Sequence, residues 1–131
     1  MNRFRFAAIT LVLSAIALVS FVRTAPAAGA KAETWKGYVT DTWCGVDRER
    51  KPPTVECTHE CVQAGRGTYA FYDFADGKVY VLNPQALAAK YAGRQVTISG
   101  TVDEATIHMK TQRGDREGKT ITASSISPDK P

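Results

Sequence analysis

Lys78-Val79-Tyr80-Val81-Leu82-Asn83-Pro84-Gln85-Ala86-Leu87-Ala88-Ala89-Lys90-Tyr91-Ala92-Gly93-Arg94-Gln95-Val96-Thr97-Ile98-Ser99-Gly100-Thr101-Val102 decides the fold, because it reads as strand, helix, strand. Lys78–Leu82 is β-branched and aromatic, as a short strand should be. Asn83-Pro84 then offers a capping side chain followed by proline at the first helical position. The helix is expected to run to Ala92, with Leu87, Ala88 and Tyr91 as its buried stripe and Gly93 as its stop. In Gln95–Val102 the apolar residues Val96, Ile98 and Val102 alternate, and Gly100 marks a bend or bulge.

Working outward, Asp76-Gly77 is a strong hairpin signal that joins Thr68–Phe74 to Lys78–Leu82. Upstream, Trp35–Asp41 reads as a first strand with Trp35 and Val39 on one face, ended by a turn at Trp43-Cys44-Gly45. Residues 46–54 are charged, carry Pro52-Pro53 and predict an exposed loop. Val55–Ala64 predicts a short helix capped by Thr54 and stopped by Gly65 and Gly67. Downstream, Asp103–Ala105 reads as a turn, Thr106–Thr111 as a strand, Gln112–Gly118 as a charged loop and Lys119–Ile126 as the last strand. Lys31–Thr34 and Ser127–Pro131 are expected to fray. This order predicts a mainly β domain, a small OB-like barrel of five to six strands. A short helix lies between strands three and four, and a cysteine-bearing helical insertion follows strand one. Closure protects the edges of strands this short. An open α+β sheet with both helices on one face is the competing arrangement.

Residues 1–30 read as an export signal. Arg3 and Arg5 form a basic head, Phe6–Val22 a 17-residue apolar body broken by Thr10, Ser14 and Ser20, and Ala28-Gly29-Ala30 a small-residue cleavage site before Lys31. An uncleaved anchor is the alternative, at the short edge of what crosses a bilayer. Residues 31–131 then form one domain, placed in the periplasm or secreted. Arg3, Arg5 and Arg23 leave with the signal and no acidic residue does, so 17 basic against 13 acidic residues become 14 against 13, and a formal +4 becomes +1. That near-neutral balance argues for no particular partner; with no dense basic patch of interleaved aromatics and with export, no nucleic-acid partner is expected, nor a membrane partner after signal cleavage.

Trp35-x-Gly37-Tyr38-Val39-x-Asp41-x-x-Cys44-Gly45 is followed by Cys57-x-x-x-Cys61-Val62-x-x-Gly65, then by Tyr69, Val79-Tyr80-x-Leu82 and Gly93-x-x-Val96-x-Ile98-x-Gly100-Thr101-Val102. This pattern resembles a family of small bacterial secreted proteins of unknown function. The resemblance covers residues 35–126 and implies an OB-like barrel, with no established chemistry. The chain departs from the family at Val46-Asp47-Arg48-Glu49-Arg50, where members often carry a histidine.

The chemistry concentrates in Cys44, Cys57 and Cys61. In an exported protein the default use of cysteine is a disulfide. A bridge from Cys44 to Cys57 or Cys61 would close the intervening loop and stabilise the domain by about 2–3 kcal/mol. One thiol is then left over. A metal site is the first alternative. Cys57 and Cys61 are one helical turn apart and share a side, and three thiolates suit copper(I) or zinc(II). His59 is the candidate fourth ligand, although helical geometry turns it roughly 200° from Cys57. Thiol–disulfide exchange is the second alternative; against it, three residues separate Cys57 from Cys61 where the redox motif has two.

Other residues carry less. His108 shares a strand face with Thr106 and Lys110 and reads as a surface histidine, with Met109 turned to the core. Asp41 is expected to accept backbone hydrogen bonds in the turn or to touch a bound ion. Ser124 and Ser125 lack a nucleophile elbow, and no glycine-rich phosphate loop is present. No enzymatic activity is expected. Tyr69 and Phe71 fall on one strand face and Tyr72 and Phe74 on the other, so one face is exposed or covered by a partner. The leading expectation is a cofactor-free binding or structural module of the cell envelope, stabilised by a Cys44 disulfide. Its partner would be a protein or small ligand not identified by sequence.

Overall fold

The structure is a computed structural model that describes residues 31–45 and 53–130. The expected export signal and most of the expected 46–54 loop lie outside the described residues. The elements are β1 (Glu33–Asp41), α1 (Thr42–Gly45), α2 (Val55–Gln63), β2 (Tyr69–Asp73), β3 (Val79–Asn83), α3 (Gln85–Ala89), β4 (Gln95–Met109) and β5 (Arg116–Pro128). The five strands close into a barrel in the order β1-β2-β3-β5-β4. All pairs are antiparallel except β3 with β5, which is parallel. With α3 between β3 and β4, the mainly β, OB-like arrangement expected from the sequence is the one adopted. Among the described residues no helix is long and apolar enough to cross a membrane.

Strand alternation builds the barrel interior. Val39, Phe71, Leu82, Val96, Ile98 and Ile121 are fully buried in one core, and Val39 faces Phe71 across the β1–β2 pair. Ala88 and Ala92 join that core from α3 and the turns that follow it, so this segment plugs the barrel. Gln85 sets the position of α3: its Nε2 donates to the carbonyls of Tyr69 and Leu82, and its Oε1 accepts from the Tyr69 N–H at 2.8 Å. A single polar side chain thus ties β2, β3 and α3 together. The two faces of β2 are both covered. On the outer face Tyr38 stacks on Tyr72 with ring centroids 4.9 Å apart, while Phe74 beside them is 40% exposed.

Four local expectations are corrected. The turn at Asp103–Ala105 and the two strands flanking it are one strand, β4, interrupted by a register irregularity against β5 between Asp103 and Ile107. The Asp103 carboxylate accepts the Ala105 N–H, so the turn chemistry is real, but it makes a bulge and the chain keeps its direction. The reversal comes later, where Gly114 N–H donates to the Thr111 carbonyl, and β5 begins at Arg116 rather than Lys119. The expected frayed ends are also partly ordered: Glu33 and Thr34 pair with β4, and Asp129 accepts hydrogen bonds from Thr97 and Gln95. Finally, Asn83 ends β3 and Pro84 occupies the N-cap with extended backbone, so the helix starts at Gln85 and α3 proper ends at Ala89.

Gly37 pairs with both Asp73 and Val96, and a Cβ there would lie 1.9 Å from the Tyr72 carbonyl oxygen and 2.6 Å from the Phe71 ring. Gly37→Ala is expected to destabilise the domain by about 1–3 kcal/mol through overpacking. Phe71→Ala should lose about 3–5 kcal/mol through the cavity it leaves. Urea unfolding of the three proteins measures both.

Candidate metal centre

The cysteines come from two short helices that the barrel holds against each other. α1 follows β1 without a break. Asp41, the last residue of β1, is fully buried, and its Oδ1 accepts the Cys44 N–H at 2.9 Å. Thr42 exchanges two hydrogen bonds with Thr68, its N–H donating to the Thr68 carbonyl and its Oγ1 accepting the Thr68 N–H. The Trp43 carbonyl accepts the Gln112 N–H at 3.0 Å. Cys44 is therefore fixed by contacts to β1, to the segment before β2 and to the β4–β5 connection.

α2 is positioned from its N-terminus. Thr54 Oγ1 accepts the Cys57 N–H at 3.1 Å, the N-cap expected from the sequence. Thr58 is fully buried and its hydroxyl donates back to the Thr54 carbonyl. Gly93 lets this turn come close: its φ is +71°, its N–H donates to the Val39 carbonyl, and a Cβ there would meet the Val55 nitrogen at 2.7 Å. The start of α2 is thus packed on the junction between α3 and β4. One turn later Cys61 enters the interior beside Cys57.

The sulfurs of Cys44, Cys57 and Cys61 all lie within 4.8 Å of one another. Those of Cys44 and Cys61 are 3.5 Å apart. None of the three is in a disulfide. Cys61 is buried, whereas Cys44 and Cys57 are half-buried. A tetrahedral zinc–thiolate centre with bonds of about 2.3 Å spaces its sulfurs at roughly 3.8 Å. The observed separations need only small side-chain adjustments to reach that spacing.

Three of the four metal donors expected from the sequence are brought together; His59 is not among the converging atoms. Its Nδ1 lies 2.7 Å from the Tyr69 hydroxyl, and the two rings meet edge-on. Helical geometry is the reason: a residue midway between Cys57 and Cys61 faces away from them, here towards β2. His108 is exposed on β4 and Met109 is buried, both as expected. Asp41 accepts a backbone hydrogen bond as expected, but the segment expected to be a turn, Trp43-Cys44-Gly45, is part of helix α1. The Trp43–Gln112 and His59–Tyr69 contacts were not anticipated, because neither pair carries a local sequence signal.

Burial and the neighbouring groups favour the protonated form of Cys61. The Cys61 thiol is pushed up to about 12, first by burial, then by its hydrogen bond with Cys44, the Asp41 carboxylate and the neighbouring thiols. At neutral pH it is therefore a weak nucleophile, which disfavours Cys61 as an attacking thiol in disulfide exchange. A metal ion reverses this preference by displacing the proton.

The folded state holds the Cys61 proton more tightly than an unfolded thiol with its ordinary value of 9.0, so the associated stability is complete below pH 9.0 and is lost as pH rises towards 12. Alkaline unfolding curves of the reduced protein and of Cys61→Ala, compared between pH 8 and pH 12, should converge as the pH rises. Parallel curves would show that Cys61 does not carry the dependence.

Comparison of the chain with family models, with curated proteins and with solved structures finds no match.

Proposed function

We propose that this chain is an exported, non-enzymatic protein of the cell envelope that binds one soft or borderline metal ion, copper(I) or zinc(II), through Cys44, Cys57 and Cys61. The observation that carries the reading is the convergence of three sulfurs from two separate helices within 4.8 Å. Helical spacing by itself sets Cys57 beside Cys61, and the seating of Cys44 from a second helix completes the group of three sulfurs. Asp41 supports the site from behind by holding the Cys44 backbone. Export rests on the basic head, apolar body and small-residue tract of residues 1–30.

A second reading is favoured by one distance. Cys44 and Cys61 are the pair at 3.5 Å, so a structural disulfide, if it forms, joins these two and leaves Cys57 as the odd thiol. It would link α1 to α2 and remove two of the three metal donors.

Native mass spectrometry of the mature protein, expressed to the periplasm and isolated without reductant, separates the two readings. The metal reading expects one bound copper or zinc ion, and three thiols open to labelling once the protein is denatured. A protein lighter by two hydrogens, with a single labelled thiol and no ion, would establish the disulfide module instead. Competition titration with a chromophoric chelator should show Cys44→Ser losing tight binding, and Asp41→Ala weakened by about 10–100-fold, as for other residues that orient a ligand.

A further inference from the structure

We propose that the three-sulfur cluster captures a trivalent metalloid oxyacid, of which arsenous acid is the simplest, as a neutral adduct with Cys44, Cys57 and Cys61. The inference rests on the three-thiol reading above and names the ligand class of that same site.

Donor number is the first argument. Three sulfurs converge, and no histidine, aspartate or glutamate donor joins them among the described residues. Zinc(II) held by three protein ligands needs a fourth donor, such as water, to complete its tetrahedron. Trivalent arsenic is satisfied by three sulfur bonds and keeps a lone pair in the fourth direction, so three converging donors suffice for it.

Charge is the second argument. Three thiolates leave a net −1 around zinc(II) and −2 around copper(I), next to the fully buried Asp41 that holds the Cys44 N–H. Like charge in a poorly solvated place is costly. A trivalent centre with three thiolates is neutral and adds no charge to that of Asp41.

The reaction needs no oxidant. As(OH)3 and three thiols give As(SR)3 and three water molecules. Three As–O bonds break and three As–S bonds form. Each thiol proton leaves on a departing hydroxide as water, and arsenic stays trivalent throughout. Spacing agrees as well. A pyramidal centre draws its sulfurs closer than a planar one with the same bond length, and the Cys44–Cys61 separation is 3.5 Å.

The test is a titration of the reduced mature protein with sodium arsenite, read by native mass spectrometry and by N-ethylmaleimide labelling after denaturation at mildly acidic pH, against an arsenite-free control. The expected result is a single adduct whose mass gain equals one arsenic atom less three hydrogens, with protection of all three thiols. Cys57→Ser removes one of the three bonds and should weaken binding on the order of 100-fold or more, because the third bond forms intramolecularly. His108→Gln, on the exposed face of β4, should bind as the unaltered protein does. If zinc(II) or copper(I) binds but arsenite protects no thiols, or if Cys57→Ser binds arsenite equally well, the metalloid inference is overturned and the metal reading stands. If neither arsenite nor the metal ions bind, both fall.

Discussion

The parallel pairing of β3 with β5, Val81–Asn83 against Thr120–Thr122, is the contact on which the rest of the molecule depends. It is the one parallel ladder in the barrel, and parallel neighbours cannot be joined by a tight turn. The chain must leave β3, cross the barrel end and return through β4 before β5 can dock. α3 makes that crossing and buries Ala88 as it goes. Without this closure β3 and β5 would each present an unpaired edge, and the core around Phe71, Leu82 and Ile121 would stand open.

The same closure builds the thiol cluster. β1 is paired on both sides, with β2 and with β4, so its C-terminal end has a fixed position. Asp41 occupies that end, and α1 grows from it. The α3–β4 junction supplies Gly93, against which the start of α2 packs. The cysteines therefore meet because two helices are seated on neighbouring points of one barrel rim. Neither helix is long enough to hold its shape by itself. The rigidity of the site is borrowed from the sheet through Thr42–Thr68, Trp43–Gln112 and Gly93–Val39 backbone contacts.

Burial and charge shape the chemistry available there. Cys61 is buried beside Asp41, so its proton is held tightly and an isolated thiolate at this position is disfavoured. The Asp41–Cys44 hydrogen bond contributes by fixing the Cys44 backbone within α1.

Most of the fold was readable because its signals are local. The Asp76-Gly77 hairpin, the Thr54 cap and the alternation of Val96 and Ile98 each act over a few residues, and each appears in the structure. Where local and tertiary preferences compete, reading along the chain misplaced the element. Asp103–Ala105 has the chemistry of a turn, yet pairing with β5 on both sides of it keeps β4 running as one strand. Likewise Asn83 resembles a helix cap, but the parallel ladder with Thr122 holds it in β3. At the site, the sequence by itself determined that Cys57 and Cys61 share a helical face and that His59 does not, since helical period alone sets those directions. Only the tertiary structure decided that Cys44 joins them, because its distance from Cys61 depends on where the closed barrel seats two helices, and no spacing along the chain encodes that.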